Sequence, residues 1–223
     1  MISFYLQAFK KIQIMTCRLP SIFFFYSIML IAFMGCKGKS SGEVKQEEKE
    51  AWHMTDEPMQ VQIGPAEEEA FRQAAHDGQL EQVKALLKSG VACDAIDQDG
   101  ATALMFAAFN GHSAIVLFLL DAGAEIDQRD YLDRTALLYG STGPFPETVK
   151  ILLDRGADPN IVDSDEHFSP LMHAAAEGQL EVVKVLIAHG ADRSLKDVDG
   201  DDAASFAAQS GHMQVVEYLK SIK

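Results

Sequence analysis

Positive charge is what this chain has least of. Nineteen Lys and Arg stand against 33 Asp and Glu, a formal net charge of −14 at pH 7. A surface of that sign repels nucleic acid and anionic headgroups, because both need compensating cations, so nucleic-acid recognition is excluded. Cysteine is nearly absent too, with only Cys17, Cys36 and Cys93. If the first is cut away and the second modified, Cys93 alone remains in the folded part, and no internal disulfide forms. Cys93 reads as a small, half-buried apolar residue. Catalytic signatures are missing as well. No Ser or Cys has a histidine and an acid at motif spacing, and no glycine-rich phosphate loop occurs. The expectation is a non-enzymatic chain without a cofactor.

Long apolar runs are equally rare, and one stands out. Leu19 to Gly35 is free of charge, with Arg18 before it, Cys36 after it and Lys37 and Lys39 beyond. Its 17 residues sit at the lower limit for crossing a bilayer. A basic flank, a short apolar segment and a small residue before a boundary fit a secretory signal over 1–35. Gly35-Cys36 resembles the end of a bacterial lipobox, although Phe33 and Met34 depart from the usual Leu and small residue. The resemblance implies lipid on Cys36 and a membrane-anchored lipoprotein facing the periplasm or cell exterior. An uncleaved anchor and cleavage elsewhere stay open, and all three export the C-terminal part of the chain. Met15 is an alternative start. Residues 36–65 read as a flexible linker, because Gly38, Ser40, Ser41, Gly42 and a Lys/Glu-rich stretch bury little apolar surface. Trp52, Met54, Met59, Val61 and Ile63 interrupt that polarity and either dock on the first unit or stay unanchored.

Beyond residue 65 the chain repeats itself. Gly90, Gly123, Gly156 and Gly190 recur at intervals of 33, 33 and 34 residues. Each follows an apolar triplet: Val83/Leu86/Leu87, Val116/Leu119/Leu120, Val149/Leu152/Leu153 and Val183/Leu186/Ile187. The spacing i, i+3, i+4 lays one stripe along a helix, and a glycine just past the end suits a left-handed cap. A unit this short cannot bury its stripe alone, so neighbours must stack.

The first half of each unit is just as regular. Thr102-Ala103-Leu104 is echoed by Thr135-Ala136-Leu137 and Ser169-Pro170-Leu171, with a hydroxyl placed to cap each short helix. Alanine pairs follow at Ala107/Ala108 and Ala174/Ala175, and a second glycine closes the helix at Gly78, Gly111, Gly178 and Gly211. The pattern resembles the ankyrin repeat. It implies an all-α solenoid of five helix-turn-helix units, near 66–96, 97–129, 130–162, 163–196 and 197–223. Met105, Leu138, Met172 and Ser205 replace the family's box histidine, which removes a turn hydrogen bond. Lys220 in the last stripe, and Glu67-Glu68-Glu69 with Arg72 at the start, mark capping ends of a complete array. In the third unit Gly140-Ser141 replaces the alanine pair, and Pro146 is expected to open the following helix. Gly140 either thins the concave face into a groove or is drift.

The resemblance implies a protein partner held across two-stranded β-finger loops and the concave inner-helix face. The fingers, 91–101, 124–134, 157–168 and 191–202, hold 16 of the 27 acidic residues between 66 and 223. Asp97, Asp130, Asp163 and Asp197 share one turn position, where aspartate satisfies local backbone donors. The acids beyond them either steer a partner with a basic patch or serve solubility. The candidate contact residues are Asp99, Phe109, Asn110, Tyr131, Leu132, Arg134, Asp165, His167, Phe168, Glu177, Asp199 and Asp201. Tyr131 and Leu132 occupy a turn that is polar elsewhere, and His167 and Phe168 sit beside the single inserted residue. Phe168 and Leu132 either anchor a partner or fold back. His112 and His212 follow the closing glycine, where the family carries histidine as a local hydrogen-bonding residue. A monomeric binding protein is expected. A structural scaffold of an envelope assembly is the alternative. Calcium binding by the Asp-rich fingers is weaker, because Asp197-Val198-Asp199-Gly200-Asp201 lacks the glycine and the closing glutamate of a calcium loop.

Overall fold

The computed structural model describes residues 64–222. The signal segment, Cys36 and nearly all of the linker lie outside these residues. Ten helices follow one another in five pairs: α1 (Pro65–His76) with α2 (Leu80–Lys88), α3 (Ala103–Phe109) with α4 (Ser113–Asp121), α5 (Ala136–Ser141) with α6 (Pro146–Asp154), α7 (Pro170–Ala176) with α8 (Leu180–Ala188), and α9 (Ala203–Gln209) with α10 (Met213–Ser221). The first helix of each pair packs on the first helix of the next, and the second helices do the same. Among the described residues there is no strand, so the expected two-stranded fingers are hydrogen-bonded turns instead.

The short helices start where their caps stand. Thr102, Thr135 and Ser169 accept from the backbone N–H of Met105, Leu138 and Met172 at 3.4, 3.3 and 3.2 Å. Asp202 does so for Ser205 at 2.8 Å. Sulfur partly replaces the missing box histidine: Met105 and Met172 Sδ each accept from the cap residue's own N–H at 3.4 Å. Pro146 opens α6 at its first turn, as its fixed φ favours. Gly123, at φ +97°, ends α4 in the left-handed region that a side chain would strain.

The stripes and the small residues make one continuous core. Val83, Val116, Val149 and Val183 are fully buried, as are Leu119, Leu152 and Leu186. Alanines 74, 75, 107, 108, 174 and 175 are buried at the inner-helix contacts, where small side chains let backbones approach. Gly140 belongs to this interior and not to an open groove: a Cβ there would meet the Ala108 carbonyl oxygen and Cβ at 3.5 and 3.6 Å. In the third pair, where Pro144 replaces the second turn glycine, Phe145 stands at the position of His112 and His212 and lies on Gly111, leaving no room for a Cβ. His212 lies on Gly178 in the same way, and His112 Nε2 sits 2.9 Å from the His76 carbonyl of the preceding pair.

Polar rungs tie successive pairs together. Asp94 accepts from the Glu125 N–H at 3.1 Å, Asp127 from Asp158 at 3.2 Å, and Asn160 from Asp192 at 2.7 Å. Across the helix ends, Arg155 pairs with Asp121 at 2.8 Å and His189 with Asp154 at 3.1 Å. Arg193 closes the series by donating to the Leu219 carbonyl at 3.2 Å, satisfying an orphan acceptor of the last helix.

Candidate partner-binding surface

The turn aspartates shape each finger from within. Asp97 Oδ1 accepts from the Asp99 and Ala101 amides, both at 2.8 Å. Asp130 does the same for Leu132 and Arg134 at 2.9 and 2.8 Å, Asp163 for Glu166 and Phe168, and Asp197 for Asp199 and Asp201. The tips are chained by single backbone bonds: Tyr131 N–H to Asp99 O, Ser164 to Leu132 O, and Val198 to Glu166 O, at 3.0, 3.0 and 3.2 Å. Exposed tip residues therefore hang on a fixed register rather than on loose loops.

Tyr131 is the most exposed large apolar residue described, at 68%, and the adjacent Leu132 is exposed too, at 43%. Tyr131 rests on Gly100, where a Cβ would come within 2.9 Å of its ring. The close approach needs glycine, so this aromatic is held out in a defined place. Asp99 and Asp199 present exposed carboxylates, and Asp165 is exposed beside them in sequence register. His167 is exposed and takes φ +60°, the left-handed place that Gly100 and Gly200 fill in other fingers.

Other expected contacts are committed internally. Arg134 holds Asp130 through Nε and Nη2, both at 2.7 Å, and lies 4.9 Å over the Tyr139 ring. Burial opposes its charge, but the bond to Asp130 together with the Tyr139, Asp130 and Asp163 charges outweighs it and holds Arg134 above the usual arginine range. Phe109 is half-buried, edge-on to Tyr139 at 6.2 Å. Asn110 donates its amide to the Phe106 carbonyl at 3.2 Å, and Asp201 accepts from Gln209 at 2.9 Å. Glu177 is exposed at the end of α7. Phe168 does fold back rather than point outward, but onto inner-helix rings: Phe206 at 4.7 Å and His173 at 5.3 Å.

Those contacts expose a column that the repeat pattern alone did not flag. Phe106, Tyr139, His173 and Phe206 occupy the same place, four residues after each cap, and all are partly exposed. With His76, Phe109 and Phe168 they form a band of edge-to-face rings along the first helices. The signal was available: aligning the units on Thr102, Thr135, Ser169 and Asp202 lines up one ring per unit.

Cys93 is half-buried, and burial followed by the neighbouring Asp94 charge pushes its thiol up to about 11. Among the described residues no group of three or more His, Cys, Asp or Glu is arranged to hold a metal ion, and no helix is long and apolar enough to cross a membrane. The family model for ankyrin repeats in three copies matches residues 55–130, 71–163 and 137–223. No curated protein matches the chain. Capped inner helices, striped outer helices and turn-built fingers over three quarters of the sequence agree with that match, and the chain belongs to the ankyrin-repeat family, whose repeats are protein–protein interaction modules.

Proposed function

We propose that this protein is an exported, non-catalytic binding module of five repeats, tethered to a membrane by lipid at Cys36. Its partner lies across the finger tips and the ring-bearing inner face. The observation that carries the reading is Tyr131 and Leu132, exposed side by side on a hydrogen-bonded tip, with Asp99 and Asp165 on the two neighbouring tips and Asp199 one tip further on. Aromatic anchors dominate interface energetics, while a surrounding negative field steers a partner with a basic patch. Phe109 adds apolar area, and His167 and Glu177 add polar contacts at the edge. A tether as long as residues 36–65 would let a monomer search within a few nanometres of the membrane.

A scaffolding role calls for an apolar patch on the outer helices. The large exposed apolar residues there are Leu117 on α4 and Met213 on α10, three pairs apart, so the tip reading is favoured. Calcium binding has less support, since Asp197 Oδ1 is spent on the Asp199 and Asp201 amides.

The test is affinity capture with the full chain against a variant carrying Tyr131→Ala and Leu132→Ala, read by mass spectrometry. Loss of a specific partner in the variant supports this face, and an unchanged set of partners removes it. Radiolabelled palmitate incorporation, with Cys36→Ser as control, tests the anchor. A chain labelled equally with and without Cys36 carries its lipid elsewhere.

A further inference from the structure

Two of the four turn carboxylates, Asp97 and Asp197, lack the side-chain partner that Asp130 and Asp163 have, and of these Asp97 borders a cleft. Asp130 Oδ2 receives Arg134 Nε at 2.7 Å and the Tyr139 hydroxyl at 2.9 Å. Asp163 Oδ2 faces His173 Nε2 at 3.9 Å. At Asp97 the corresponding residues are Ala101 and Phe106, which have no side-chain donor to offer. Asp97 spends Oδ1 on the turn, and its Oδ2 takes up no side-chain donor.

That carboxylate borders a notch. A cleft of about 50 Å³ lies between α1, the first finger and α3, lined by Glu69, Arg72, Gln73, His76, Asp97 and Phe106. In the next pair, Phe106 and Phe109 stand where Gln73 and His76 stand here, so the rings that fill the band further along are replaced by smaller or polar groups. Arg72 is the one fixed cation in the lining. It is already neutralised by Glu69 at 2.9 Å and donates to the Ile96 carbonyl at 3.0 Å. Its side chain is 8% exposed, yet its Nε has no acceptor. His76 is engaged by Asp77 at 2.9 Å and stands edge-on to Phe106 at 6.1 Å. The cleft thus offers one uncompensated carboxylate, an aromatic wall and a buried donor awaiting an oxygen.

We infer that this notch binds a cationic side chain of a partner protein, a guanidinium or ammonium group set against Asp97 and the Phe106 ring, with a neighbouring carbonyl oxygen near Arg72. The cation supplies from outside what Arg134 and Tyr139 supply from inside one repeat later. Cation–π attraction and a charge-assisted hydrogen bond both act in a partly desolvated cleft, where each is stronger than on an open surface. The inference rests on the binding-module reading and deepens it by naming the chemistry of one partner residue.

The probe is N-acetyl-arginine amide, with N-acetyl-citrulline amide as its uncharged twin, titrated into the full chain and followed by backbone amide shifts. The arginine probe is expected to shift Asp97, Asp99 and Phe106 saturably, and the citrulline probe is not. Asp97→Asn keeps the Oδ1 acceptor that the turn needs, and weakens the probe by about tenfold, the scale of one charge-assisted contact. Phe106→Tyr brings a hydroxyl to Asp97 as Tyr139 does to Asp130, and weakens the probe similarly without loss of folding. Equal shifts from citrulline, unchanged affinity in both variants, or shifts centred on Tyr131 and Asp199 overturn the proposal. The tip variants do not touch this notch. If the probe fails while Tyr131→Ala/Leu132→Ala still abolishes capture, the notch is wrong and the binding reading stands. If the probe binds as expected while the tip variants change nothing, the notch stands and the tip reading falls.

Discussion

Tyr139 donates its hydroxyl to Asp130 Oδ2 at 2.9 Å, and the Asp130 side chain is wholly shielded from solvent. With Arg134 on the same oxygen and two backbone amides on Oδ1, the buried carboxylate has donors on every side. A buried charge is tolerated only under those conditions. Removing one neutral donor is therefore mild, and removing the charge is not. Tyr139→Phe is expected to cost about 1 kcal/mol. Asp130→Ala, which strands Arg134 and two amides, costs about 3 kcal/mol. Urea unfolding followed by circular dichroism measures both, and equal losses would show that the hydroxyl carries the cluster.

Gly140 offers a gain instead. Its backbone is not left-handed, and an added Cβ would meet Ala108 and Val149 at ordinary contact distances of 3.5 to 3.7 Å. Ala107, Ala174 and Ala207 already fill the equivalent place with no exposure. Gly140→Ala is expected to stabilise by about 0.5–1 kcal/mol through helix propensity and lower unfolded-state entropy. A lower melting temperature would mean that the third pair is packed more tightly than these distances allow.

What the sequence showed and what it hid divide along physical lines. The Val83, Val116, Val149 and Val183 stripe, the hydroxyl caps and Pro146 were legible because each acts through local geometry and repeats with the chain. For Gly140 the sequence left a groove and drift equally open, because its helix is only six residues long and its rotation is set by neighbours. For Phe168 the sequence left anchoring and folding back both open, because the rings that decide it, Phe206 and His173, belong to other elements. The rungs at Asp94, Asp127 and Asn160 were hidden by their chemistry, since one rung is an amide and two are acids. Tyr131 and Leu132 were visible as an adjacent apolar pair in one turn, whereas Val198, also exposed at the equivalent place of the fourth finger, stands alone.

Asp163 links stability to acid. Burial pushes its carboxyl up, but His173 and the Phe168 and Glu166 amides outweigh that and hold it below the ordinary value of 3.8. Because the folded-state pKa is the lower one, ionised Asp163 adds stability above that ordinary value and loses it as pH falls through the folded pKa. Asp163→Asn keeps an acceptor for the amides and cannot titrate. The gap in urea midpoint between wild type and variant should be widest at neutral pH and close as pH falls through the folded-state pKa, below 3.8. A gap independent of pH would assign Asp163 a purely geometric role.

Cys93 should be a poor nucleophile. With its thiol at about 11, roughly one molecule in a thousand is thiolate at pH 8, following the titration of a single group. Iodoacetamide labelling, followed by mass mapping of the Cys93 peptide in the native chain, should run about a hundredfold slower than in urea. Comparable rates would place the sulfur in a more open or more positive setting than its half-buried position beside Asp94.

Asp127 runs opposite to Asp163. Burial first, and then the Asp158 charge, raise its pKa above 3.8 despite the Asp158 amide it accepts. A folded-state pKa above the unfolded one means that its charge opposes folding at neutral pH and that the penalty disappears once the group is protonated. The next rung shows the remedy, since Asn160 accepts the Asp192 N–H at 2.7 Å with no charge at all. Asp127→Asn keeps the rung and removes the repulsion, so its urea midpoint should exceed that of wild type at pH 7. The advantage should shrink as pH falls through the carboxylate range. A variant less stable at pH 7 would mean that the ionised carboxylate makes the stronger hydrogen bond across this junction, and that its burial costs less than the bond returns.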